Sequence, residues 1–204
     1  MLTEKELRIL ELFMKNPFAS YTIRELMKRI KTKSYDWTHK TATKLIKENI
    51  IKTEKKGQAN LCTLNLNEHK TILYLSLLEE TKAITIKIPN LSKIMGVVPS
   101  QFNILLITGS YVDGTHTEES DMDVVAIIEN KEEKKWVINQ LTNKGELMIP
   151  KLHPYVFTRE EFLEMLSNNE QNYGKEIEKK HLIIFGAENY YQILKEGIKN
   201  GYNR

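Results

Sequence analysis

Two aspartates two residues apart, Asp121 and Asp123, open an apolar run Val124–Ile128. Positions two apart on a strand point to one face, so the carboxylates are expected to project together. Such a pair suits magnesium or manganese, ions that take oxygen ligands and bridge phosphates. Upstream, the apolar run from Phe102 to Thr108 stops abruptly at Gly109-Ser110. Glycine lets the backbone approach a ligand closely, and a serine hydroxyl with backbone N–H groups ahead of a helix can hold a phosphate. The elements required are therefore two buried strands joined by a turn and a spacer, Tyr111 to Ser120.

Gly-Ser, a spacer of this length and Asp-x-Asp on a strand resemble the nucleotidyltransferase superfamily related to DNA polymerase β. Gly109-Ser110-Tyr-Val-Asp-Gly114-Thr115 is similar to the turn of the minimal nucleotidyltransferases. The resemblance implies transfer of a nucleoside monophosphate from an NTP to an acceptor. It would place the β/γ-phosphates on Gly109 and Ser110 and the metal ions on Asp121 and Asp123. The acceptor stays open, a protein among the choices.

The chain departs from that family at a third carboxylate expected on a later strand. The corresponding run, Lys151–Phe157, has no Asp or Glu, and His153 or Tyr155 stands in that place. A neutral imidazole is a poor magnesium ligand, but His153 could accept a proton near neutral pH. The missing acid keeps a second reading open, a transcription regulator whose domain binds nucleotide or a partner without turnover.

Residues 1–66 have a different character, with 14 Lys/Arg against 7 Asp/Glu, whereas the remainder holds 16 against 20. A basic module on a mildly acidic one fits a nucleic-acid-binding head. Thr3 with Glu6 and Thr22 with Glu25 mark two helix starts as capping boxes, and a third helix is expected over about Asp36 to Glu48. Its apolar face would use Trp37, Ala42, Leu45 and Ile46, leaving Thr38, His39, Lys40, Thr41 and Lys44 outward. A hairpin turning at Lys56-Gly57-Gln58 follows. Three helices and a basic-tipped hairpin form the pattern of a winged helix-turn-helix. Its third helix would enter the DNA major groove, with Lys52, Lys55 and Lys56 on phosphates.

The expected fold class is α+β: a winged helix over 1–66, a helical connector over 67–100, a nucleotidyltransferase sheet domain over 101–165 and a helical segment over 166–204. Thr158 with Glu161 marks a helix start after the last strand of the sheet domain, and Tyr190 and Tyr191 read as core. The helix around Leu73 is a candidate homodimer contact. The single cysteine, Cys62, excludes an internal disulfide and reads as a buried strand residue. No apolar run approaches the ~20 residues of a membrane helix and no signal peptide is found, so no membrane partner and a cytoplasmic location are expected.

Overall fold

Threonine hydroxyls start three helices of this protein, whose computed structural model describes residues 2–86, 88–96 and 104–203. In each, the threonine accepts from the N–H three residues on, and a glutamate there reaches back to the threonine N–H. These reciprocal bonds satisfy donors that a helix end leaves orphaned. The chain divides into two compact units, the first ending at Leu78 and the second spanning Glu79–Tyr202.

The first unit contains α1 (Glu4–Lys15), β1 (Ser20–Tyr21), α2 (Ile23–Arg29), α3 (Tyr35–Lys47), β2 (Ile51–Lys56) and β3 (Ala59–Leu64). Its antiparallel sheet has the order β1-β3-β2, and β2 and β3 form the expected hairpin. Phe13, Leu26, Leu45, Ile50 and Ile51 are fully enclosed. Cys62 is buried on β3, and burial raises its thiol pKa. Helix α4 (His69–Thr85) then carries the chain into the second unit.

That unit contains the rest of α4, α5 (Leu91–Met95), β4 (Ile104–Thr108), α6 (Ser110–Asp113), β5 (Met122–Ile128), α7 (Lys134–Gly145), β6 (Leu152–Thr158), α8 (Arg159–Ser167), α9 (Tyr173–Lys179), β7 (Leu182–Phe185) and α10 (Ala187–Lys199). The sheet order is β6-β5-β4-β7, antiparallel except for the β5–β6 pair. Parallel neighbours need a crossover, which α7 supplies by burying Val137 and Leu141 against the sheet. Every residue of β4 is buried, as are all of β5 except Asp123.

The sheet boundary differs from the sequence expectation. Because β7 pairs with β4, residues beyond 165 belong to the same sheet domain. The second half of α4 joins it too: buried Glu79 accepts from Tyr191 Oη at 3.1 Å. Tyr190 and Tyr191 are core residues, as expected. The expected connector end at Val97-Val98-Pro99 and the first strand residues Phe102-Asn103 lie outside the described residues. Among the described residues, no helix is long and apolar enough to cross a membrane.

The cap of α8 can be tested directly. Thr158→Ala is expected to destabilise the protein by about 1 kcal/mol, read as a lower urea midpoint. Its partner Glu161 also takes Lys134 Nζ at 2.7 Å. That ammonium, with the Thr158 N–H, holds the Glu161 carboxyl below its ordinary 4.5. A depressed carboxyl stabilises the fold above its unfolded pKa and loses that contribution as pH falls through the folded value. The stability difference between the wild type and a Glu161→Gln variant is therefore expected to shrink as pH falls through the lowered Glu161 value.

Candidate active site

Strands β4 and β5 pair in a register that sets Thr108 opposite Asp123. The chain leaves β4 at Gly109, whose φ of 72° and ψ of −150° place it where only glycine is comfortable. A Cβ built there would stand 2.4 Å from Asp123 Oδ2. The turn and the carboxylate are thus packed against one another, and the motif's glycine is a steric requirement. Ser110 begins the single turn of α6. The spacer is braced by Tyr111, whose hydroxyl donates to Ser120 O at 3.2 Å and whose ring stacks on His116.

On the other side, β5 and β6 pair in parallel with Asp123 beside His153. His153 Nδ1 lies 3.2 Å from Asp123 Oδ1. The strand neighbour of the second aspartate is therefore an imidazole. Tyr155 continues the same face, with its hydroxyl 3.4 Å from His153 Nδ1. Tyr173 of α9 packs on Tyr155 at 4.7 Å between ring centres. Burial, then the neighbouring Tyr155 and Asp123, push the Tyr173 phenol well above its ordinary value. Its hydroxyl is buried.

Asp123 and Tyr173 line a cleft of about 410 Å³ with Thr108, Gly109, Asp113, Glu176, Lys179 and Lys180. Lys180 Nζ donates to Asp113 at 2.9 Å, and Thr108 Oγ1 donates to Lys180 O at 2.8 Å. Tyr173, Lys179 and Lys180 come from α9 and the residue after it, far from the motif in sequence. Thr108, Gly109 and Asp113, in or beside the Gly-Ser turn, carried a local signal.

Asp121 is placed differently. It precedes β5, is exposed, and borders a second depression with Glu118, Glu119 and the loop before β6. Among the described residues, no group of three or more His, Cys, Asp or Glu is clustered as a metal site. The donors fit an ion that takes one or two carboxylates and fills its shell from substrate phosphates and water, as magnesium does. They do not fit an ion held by protein alone.

The family model for a nucleotidyltransferase domain matches residues 104–199. This segment is therefore similar to that family's domain. No curated protein and no solved structure matches the chain. The domain's matched span includes β7 and α10, in agreement with the extent of the sheet.

The residues expected to contact DNA fall into two groups. Thr38 and Thr41 are buried and unavailable at the surface, with Thr38 Oγ1 donating to Ser34 O at 2.9 Å. His39 and Lys40 are exposed on α3, with Lys40 beside Asp36 at 2.8 Å. Lys44 donates to Glu6 at 3.0 Å. Burial opposes ionisation of Glu6, but the Thr3 N–H and Lys44 outweigh it and hold its pKa down. Lys52, Lys55 and Lys56 are all exposed on β2.

Proposed function

We propose that the nucleotidyltransferase-like domain transfers a nucleoside monophosphate from an NTP to an acceptor hydroxyl in the cleft at Asp123, with pyrophosphate leaving. The observation that carries this reading is the packing of Gly109 on Asp123 Oδ2, which joins the phosphate-binding turn to the acidic strand. Gly109 and Ser110 hold the β/γ-phosphates, and Lys179 and Lys180 add positive charge to the same cleft. Asp121 and Asp123 would hold magnesium or manganese, which when bound would neutralise charge on the phosphoryl group and acidify the attacking hydroxyl. If His153 Nδ1–H donates to Asp123, Nε2 keeps a lone pair for the acceptor proton.

The test is transfer of an α-phosphate label from a mixture of NTPs into cell extract, with magnesium or manganese. Transfer by the wild type and none by an Asp121→Ala/Asp123→Ala variant is expected, and the labelled species names the acceptor. A specific observation favours the alternative, nucleotide binding without turnover: the residue beside Asp123 on β6 is His153, not an acid. No transfer by either protein, with nucleotide still altering DNA affinity, would favour that reading.

We further propose that the first unit is a winged helix that binds DNA. Its order of three helices and a hairpin, and the exposed lysines of β2, support this. Lys52→Ala/Lys55→Ala/Lys56→Ala is expected to flatten the slope of log affinity against log salt by roughly three units. Fluorescence anisotropy on a labelled duplex across a sodium chloride series reads it, and an unchanged slope removes the hairpin from the interface. A homodimer through α4 is supported by Leu73 and Leu77, one turn apart and half exposed. Light scattering showing a monomer at every concentration would dispose of it.

A further inference from the structure

The loop between α7 and β6 exposes two large apolar side chains, Leu147 and Ile149, each 88% accessible. It is nonetheless pinned. Met148, between them, is buried in the core beneath the sheet. Asn90 Nδ2 donates to Ile149 O at 3.0 Å, and Met122 N donates to Lys151 O at 2.8 Å. A fixed backbone holding bare apolar side chains in water gains little from folding. It spares a binding partner the entropy of ordering the loop, which is how interface anchors behave.

The surroundings define the partner's charge. Facing the loop is the Thr117–Ser120 turn, closed by Thr117 N donating to Ser120 Oγ at 2.9 Å. The turn carries Glu118 and Glu119. With Asp121 and Glu146 they rim a depression of about 550 Å³, in which Lys151 is the cation. Four carboxylates against one ammonium repel a phosphate backbone and attract a basic chain.

We propose that this depression docks a basic polypeptide segment that packs an apolar side chain against Leu147 and Ile149. The partner is a protein other than this chain. Residues 1–66 are basic too, and seating them on this depression of another copy would make the chain self-associate, which light scattering reads below. The depression shares no lining residue with the Asp123 cleft, and docking does not depend on transfer. Because Asp121 borders both the depression and the acidic motif, the bound segment lies beside the proposed chemistry.

The probe is a short fluorescein-labelled peptide of alternating lysine and leucine, titrated with the full chain and followed by anisotropy. Two control peptides replace every lysine by glutamate or every leucine by serine. The lysine–leucine peptide is expected to bind, and each control to bind at least about tenfold more weakly. Leu147→Ser/Ile149→Ser and Glu118→Lys/Glu119→Lys proteins are expected to lose about as much, with unchanged thermal melting because all four side chains are exposed. Equal binding to wild type and both variants would overturn the proposal, as would no binding to the wild type. Light scattering that shows the wild type self-associating, and the Leu147→Ser/Ile149→Ser protein monomeric, would give the surface to a second copy and overturn it too. None of these readouts involves transfer activity.

Discussion

Asp123→Asn is expected to lower label transfer by about two to three orders of magnitude while leaving the fold intact. Asparagine keeps the size of the side chain and its approach to the Gly109 turn. It removes the charge that would hold a divalent ion, and it weakens the pairing with His153 Nδ1, now 3.2 Å from Oδ1. The side chain is only 29% exposed but sits at the end of β5, so the exchange adds no buried charge. Single-turnover transfer with saturating nucleotide, beside a thermal melt of each protein, checks the result. Wild-type transfer by a folded Asp123→Asn protein would exclude the proposed role. The parallel variant Asp121→Asn tests whether an exposed carboxylate is drawn to the cleft when nucleotide is bound. A loss as large as that of Asp123→Asn would show that both carboxylates hold the ion.

What the sequence could reveal here follows the range of each interaction. Helix starts at Thr3, Thr22 and Thr158 were readable because a capping box closes within three residues. The Gly-Ser turn and the acidic strand are also local, and the absence of an acid on Lys151–Phe157 pointed to His153 or Tyr155. The parallel register then sets His153 beside Asp123. Tyr173 and Lys180 were not readable as cleft residues, because only the pairing of β7 with β4 brings their segment to Thr108 and Gly109. Crossover helix α7 was missed: a run rich in Lys and Asn hides the Val137–Leu141 pair on which it packs. On α3 the error was one of residue type. Thr38, Thr41, Ala42 and Leu45 follow helical spacing and are all buried. The threonines were assigned outward as polar residues, yet a threonine whose hydroxyl returns to the carbonyl four residues back can face a core. Asp121 and Asp123 differ for a related reason: the two-residue rule holds only within a strand, and β5 begins between them.

Gly109→Ala is expected to abolish transfer as thoroughly as loss of Asp123, without touching a charged group. Two separate costs fall on this position. A φ of 72° with ψ of −150° is strained for any side chain, costing about 1–3 kcal/mol. The new methyl would also stand 2.4 Å from Asp123 Oδ2, so either the turn or the carboxylate must move. Asp123 cannot yield freely, because its other oxygen faces His153 and its strand is held on both sides by β4 and β6. The turn that would carry phosphate and the acid that would carry metal are therefore expected to separate. Gly114→Ala is the control that distinguishes strain from collision. It has a φ of 70° and the same end of the domain, but nothing lies within 4 Å of its added Cβ. Both variants are expected to melt a few degrees lower than the wild type, since left-handed backbone costs an alanine about 1–2 kcal/mol. Only Gly109→Ala is expected to lose transfer. Equal transfer by the two variants at a temperature where both are folded would mean that the close approach of turn and carboxylate has no part in the reaction.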